Sequence, residues 1–157
     1  MKNFNKKIAV IGLGYVGLPL ALAFSKKFET IGFDINSKRI KELKSGIDKT
    51  NEVVNDQLIE NKKIQFTSKI DEIRSSNIYI ITVPTPINEN NEPDLSAIVN
   101  STRTVGSILK KDDIVVYEST VYPGLTEEIC VPILESISGL SSNVDFFYGY
   151  SPERINP

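Results

Sequence analysis

Six residues near the start of the chain, Gly12-Leu13-Gly14-Tyr15-Val16-Gly17, have the types and spacing to hold a diphosphate. They follow an apolar run, Lys7 to Ile11, that reads as a β-strand, and they precede an Ala- and Leu-rich stretch that reads as a helix. In that setting Gly12 permits a tight turn out of the strand. Gly14 lets a pyrophosphate approach the backbone with no Cβ in its path, and Gly17 lets the helix pack close to the sheet. The free amides and partial positive charge at the helix N-terminus suit phosphate oxygens. A carboxylate, Asp34, closes a second strand candidate roughly 20 residues after the first glycine, where it can accept hydrogen bonds from both hydroxyls of an adenosine ribose. A ribose 2′-phosphate would meet a like charge there, so the pattern favours NAD over NADP. Lys38 and Arg39 pull the other way, since either could take a phosphate or simply lie in water on a helix face. The competing account is structural: the glycines make a tight turn and Asp34 caps the next helix.

Other strand ends are also chemically unusual, and in an open parallel sheet ligands sit outside the carboxyl ends of the strands. Thr82-Val83-Pro84-Thr85-Pro86 follows one apolar run, with two prolines that stiffen the backbone and leave Thr85 as a fixed hydroxyl. Glu118-Ser119-Thr120-Val121-Tyr122-Pro123-Gly124 follows another, and Ser151-Pro152-Glu153-Arg154-Ile155-Asn156-Pro157 follows a third. Thr85 and Thr120 could equally be turn or helix-capping hydroxyls, and Glu153 a surface residue. Cys130, between Ile129 and Val131, reads as a buried structural cysteine.

These segments need a scaffold, and the alternation of short β-branched runs with longer amphipathic stretches predicts an α/β fold: a mainly parallel six-stranded sheet with helices on both faces, doubly wound in the Rossmann manner. The expected strands are Lys7–Ile11, Thr30–Asp34, Ile64–Thr67, Ile78–Val83, Ile114–Glu118 and Val144–Tyr148. Asn36, Asn55 and Asp94 are candidate helix N-caps. From about Asp94 to Leu109, a stripe of Leu95, Ile98, Val99, Thr102, Val105 and Ile108 should face the sheet, with Asn100, Arg103 and Lys110 in water. The segment Pro84 to Pro93, with Asn88 to Asn91 inside it, must be a loop.

Composition bounds the rest. A chain of 157 residues, 40% hydrophobic and 24% charged, fits one globular domain. A formal charge of -2 offers no broad basic surface for nucleic acid. No apolar run is long enough to span a membrane and the polar opening segment is unlike a secretory signal, so the expected location is cytoplasmic. One cysteine and no histidine exclude an internal disulfide, a Cys/His metal site and a Ser-His-Asp relay, so any catalysis must lean on a cofactor.

Taken together the motifs resemble the UDP-glucose/GDP-mannose dehydrogenase family along the whole chain. Gly12 to Leu20 is similar to the family's opening, Asp34-Ile35-Asn36 with Arg39 to its adenosine-binding segment, and Val83-Pro84-Thr85-Pro86 to its loop near the cofactor. Ser119-Thr120-Val121 with Pro123-Gly124 resembles its nicotinamide-side turn, and Ser151-Pro152-Glu153-Arg154 its first catalytic glutamate segment. The resemblance implies oxidation of a sugar C6 alcohol to a carboxylate with two NAD and a cysteine thioester. Thr120 and Glu153 would be catalytic, and Gly12, Gly14, Tyr15, Val16, Gly17, Asp34, Arg39, Val83, Thr85 and Thr120 would contact the cofactor. Pro157 stands where the UDP-glucose branch has a second glutamate, so the ending looks more like the branch acting on UDP-N-acetylhexosamines in surface polysaccharide synthesis. Cys130 does not match the family's nucleophile. That cysteine, the central helix through which the enzyme pairs as a homodimer, and the UDP-sugar domain are expected beyond Pro157, which leaves this chain able to bind NAD but not to turn over substrate. The alternatives are a noncatalytic NAD-sensing module and a two-electron β-hydroxyacid dehydrogenase.

Overall fold

The computed structural model describes residues 5–61, 63–87 and 92–151. Six parallel strands, β1 (Lys7–Ile11), β2 (Glu29–Phe33), β3 (Ile64–Thr67), β4 (Ile78–Ile81), β5 (Ile114–Tyr117) and β6 (Phe147–Tyr150), form one sheet in the order β3-β2-β1-β4-β5-β6. Alternate side chains of a strand point to opposite faces, and each face is covered here. On one face Ile8, Val10 and Ile80 pack with Leu18, Ala21 and Leu22 of α1 (Gly17–Ser25), Ile40 and Leu43 of α2 (Ser37–Lys44) and Leu58 of α3 (Asn55–Glu60). On the other, Ala9, Ile11, Tyr79, Ile81, Val115 and Tyr117 pack with Ile73 of α4 (Ile70–Ile73), Ile98 and Val105 of α5 (Ser96–Gly106) and Leu134 of α6 (Val131–Ser138). The expected doubly wound sheet is therefore present. Chain order reverses between β1 and β4, which opens a crevice above their carboxyl ends.

Several boundaries differ from expectation. β2 stops at Phe33, so Asp34 stands just past the strand, its amide donating to the Thr67 carbonyl at 3.1 Å. β4 and β5 end before Val83 and Glu118 because the chain turns there toward the crevice. β6 starts three residues later than Val144: Asn143 has a φ of 60°, the Asp145 amide donates to the Ser141 carbonyl and the Asp145 carboxylate accepts from the Ser141 amide, so residues 141–145 make a turn that leaves Val144 exposed. Asn36 caps α2, accepting from the amides of Lys38 and Arg39. Asn55 instead lies inside α3 and accepts from the Asp48 amide at 3.3 Å, because that loop needs a partner. Asp94 accepts from the Ser96 amide at 2.9 Å, two residues ahead of a helix that starts later than expected.

The α5 stripe is buried or half-buried as predicted, and Lys110 is exposed as expected but also tied to its neighbours. Its ammonium donates to the carbonyls of Arg74 (3.0 Å) and Ser76 (2.9 Å) and to Asp113 (3.0 Å), closing the carboxyl end of α4. Cys130 ends a π-helical turn (Thr126–Cys130) and is buried, where desolvation pushes its thiol above the ordinary range.

The approach of α1 to the sheet is set by Gly17, where a Cβ would lie 1.8 Å from the Gly12 carbonyl oxygen and 2.4 Å from Thr82 Oγ1. Backbone has to move to admit it, so Gly17→Ala is expected to cost about 1–3 kcal/mol in urea denaturation. A Cβ on Gly14 meets nothing within 4 Å, so Gly14→Ala should change stability by no more than about 0.5 kcal/mol.

Candidate dinucleotide-binding site

The glycine turn is held by the ends of three strands. Gly12, at a φ of 94°, donates its amide to the Phe33 carbonyl at 2.8 Å, which ties the end of β1 to the end of β2. From β4, Thr82 Oγ1 lies 3.0 Å from the Ile11 carbonyl and 2.7 Å from the Gly12 carbonyl. Asp34 accepts from the Leu13 amide through Oδ2 and from the Asn36 amide through Oδ1, both at 2.9 Å. Each carboxylate oxygen keeps a second acceptor direction, and the group is half-buried, so it can serve the turn and still receive hydroxyl donors.

Two clefts meet over this turn. The first, about 440 Å³, is lined by Gly12, Leu13, Asp34, Ile35, Arg39 and Asn100 among others. The second, about 450 Å³, is lined by Tyr15, Val16, Thr85, Glu118, Ser119 and Thr120 among others. Gly14, Thr82, Val83 and Pro84 border both, so the clefts join at the glycine turn and the start of α1. A dinucleotide has this outline, with two nucleosides flanking a diphosphate. The first amides of a helix have no carbonyl of their own helix to bind, and open space over Gly14 leaves room for oxygens there.

Of the residues singled out in the sequence, the two clefts gather Gly12, Gly14, Tyr15, Val16, Asp34, Arg39, Val83, Thr85 and Thr120. Gly17 lies beneath them and sets the approach of the helix. Thr85 Oγ1 donates to the Thr120 carbonyl, and Ser119 Oγ donates to the Val83 carbonyl at 2.8 Å, so the loops after β4 and β5 are laced together. Glu153 and the rest of its segment past Ser151 lie outside the described residues, as do Asn88 to Asn91.

Arg39 departs from the solvated alternative. It is 9% exposed and reaches back under the turn, with Nε donating to the Leu13 carbonyl at 3.0 Å and Nη2 to Asp48 at 2.7 Å. Nη1 is buried with no partner among the described residues. Burial would raise the Asp48 carboxyl, but hydrogen bonds from Thr50, Arg39 and the Thr50 and Val53 amides outweigh it and hold the group below the usual carboxylate range. Lys38 is exposed. The sequence motifs contain Ile35 and Thr82 without a role for either, and Asp48 and Thr50 carry no sequence assignment. An Asp two residues ahead of a Thr is a turn signal that could have flagged Asp48; the Thr82 latch depends on the β1–β4 pairing and has no local mark.

Among the described residues no helix is long and apolar enough to cross a membrane, and no group of three or more His, Cys, Asp or Glu is placed to hold a metal.

Residues 6–157 match the UDP-glucose/GDP-mannose dehydrogenase family, NAD binding domain. Similar curated proteins include the UDP-N-acetyl-D-glucosamine 6-dehydrogenase of Salmonella typhi, 58% identical over 151 residues that cover 96% of this chain and 36% of the relative. Protein CapL of Staphylococcus aureus is 56% identical over 153 residues, 98% of this chain and 36% of CapL. Among solved structures, the UDP-D-ManNAc dehydrogenase of Pyrococcus horikoshii superposes with a TM-score of 0.90 at 37% identity, covering 96% of this chain and 37% of that one. The chain thus spans little more than a third of the length of the curated relatives it matches. With its glycine turn, acidic second-strand end and paired clefts, the chain belongs to the UDP-glucose/GDP-mannose dehydrogenase family, as its NAD-binding domain.

Proposed function

We propose that this chain is the cofactor-binding half of a UDP-N-acetylhexosamine 6-dehydrogenase, which oxidises the sugar C6 alcohol to the uronate with two NAD for surface polysaccharide synthesis in the cytoplasm. The observation that carries the reading is the junction of the two clefts over Gly14, a dinucleotide-shaped crevice with Asp34 at one end and Thr85, Glu118 and Thr120 at the other. The relatives named for UDP-N-acetyl-D-glucosamine and UDP-D-ManNAc support the sugar class.

In this reading Gly12, Gly14, Tyr15, Val16 and Gly17 form the diphosphate seat at the head of α1. Asp34 accepts from the adenosine ribose hydroxyls, and the buried, unpartnered Nη1 of Arg39 fits a polar ligand at the same end. Val83 and Thr85 shape the wall between the two nucleosides. Bound NAD supplies the hydride acceptor. Thr120 positions the reacting group or a water, and Glu153, assigned on its Ser-Pro-Glu-Arg motif alone, activates the water that releases the carboxylate. A protein of the relatives' length carries the sugar domain and the nucleophilic cysteine and pairs as a homodimer.

Calorimetry on this chain should show NAD bound more tightly than NADP, because Asp34 repels a 2′-phosphate; equal affinities would overturn that role. Asp34→Ala should weaken NAD binding by about 1–3 kcal/mol, and an unchanged Kd would remove the residue from the site. Gly14→Val should weaken it more, since its side chain occupies the phosphate path. The activity itself is tested on a protein of the relatives' full length: UDP-N-acetylglucosamine or UDP-N-acetylmannosamine with NAD should yield two NADH per sugar oxidised, and a yield of one would replace the four-electron reading with a two-electron one.

A further inference from the structure

The loop between α2 and α3 holds a buried carboxylate to which the proposed cofactor chemistry gives no part. The Asp48 side chain is 0% exposed, and both of its oxygens are occupied. Oδ1 accepts from the Thr50 amide (3.0 Å), Thr50 Oγ1 (2.7 Å) and Arg39 Nη2 (2.7 Å); Oδ2 accepts from the amides of Glu52 (3.0 Å) and Val53 (3.1 Å). Those amides and the Thr50 hydroxyl already fold the loop around the carboxylate. Arg39 arrives from a different element, α2, and adds a full charge.

That arginine touches both the glycine turn and the cleft. Its Nε holds the Leu13 carbonyl while Asp34 holds the Leu13 amide, so one peptide segment is gripped from both sides by groups of opposite charge. Arg39, Asp34 and Thr50 all line the adenosine-side cleft. An unpaired guanidinium on that wall would attract a phosphate, against the repulsion from Asp34. With Asp48 2.7 Å away, its charge is offset. The remaining cations nearby are exposed: Lys38 is solvated, and Lys49 pairs with Glu42 on the surface.

We infer that Asp48 is a positioning and specificity residue for the dinucleotide: it fixes the Arg39 guanidinium against the glycine turn and cancels its charge, so that Asp34 governs the ribose 2′ position and a 2′-phosphate is refused. This rests on the cleft being the NAD site.

The test is the ratio of NADP to NAD dissociation constants, measured by calorimetry on this chain and on two variants whose charge changes have opposite sign. Asp48→Asn exposes the arginine charge and should lower the ratio about tenfold. Arg39→Gln leaves the carboxylate unopposed and should raise it. A purely structural brace would weaken both dinucleotides alike, so an unchanged ratio in either folded variant overturns the inference. Removing one partner of a buried pair is strongly destabilising, so circular dichroism must first establish folding, and one folded variant of the two is enough to read the sign. Should neither fold, Arg39→Lys keeps the positive charge but cannot bridge Leu13 and Asp48 at once, and should lower the ratio; an unchanged ratio there also sinks the inference. If the unaltered chain binds neither dinucleotide, the NAD site itself fails and this inference falls with it.

Discussion

The crevice depends on how closely α1 approaches the sheet, and that distance is set by the contact of Gly17 with the Gly12 carbonyl and Thr82 Oγ1. Any Cβ at position 17 meets backbone at 1.8 Å and forces the helix or the turn to shift. The contact is supported from three strands, because Gly12 donates to Phe33 at the end of β2, Thr82 follows β4, and the turn itself follows β1. A turn braced in this way has its donors aimed before any ligand arrives. The ordering entropy is met during folding and need not be drawn from binding.

Two aspartates show how burial alone separates roles. Asp34 and Asp48 each accept backbone amides, and both lie within reach of the same turn, the first through Leu13 and the second through Arg39. Asp34 is half-buried with one protein donor on each oxygen, which leaves acceptor capacity for a ligand. Asp48 receives five donors and is closed to solvent, so nothing remains for a ligand. A buried ion pair gives little net stability once desolvation is counted, and here it is the added amide donors that make the burial tolerable.

The fold was largely legible because its signals are local and periodic. Continuous apolar runs marked β1 and the body of β4, a short alternating Ile-Gln-Phe-Thr marked β3, and the α5 stripe kept helical spacing through Ile98, Thr102 and Val105. Boundaries failed where turn chemistry competed with β-branching. Val144 reads as the start of a strand, yet Asn143 and Asp145 on either side hold the turn that exposes it. The glycine turn and Asp34 were readable because each glycine has its own steric reason. Arg39 was ambiguous, since its burial depends on a partner nine residues away in a loop, and Thr82 was silent, since its acceptor is about seventy residues earlier in the chain. Long-range side-chain contacts leave no periodic trace.

The two ends of the crevice are built to different strengths. At the Asp34 end, charged groups bind the turn and the loop in buried or half-buried hydrogen bonds, the stronger kind, through Arg39, Asp48 and Asp34. At the other end the Thr85 hydroxyl donates to the Thr120 carbonyl and the Ser119 hydroxyl to the Val83 carbonyl, both neutral hydrogen bonds. Neutral hydrogen bonds contribute about 0.5–1.5 kcal/mol each, and those to charged groups roughly twice that. Asp34, Arg39 and Asp48 sit just past β2, on α2 and on the loop after α2, and the lacing hydroxyls of Thr85 and Ser119 sit after β4 and β5.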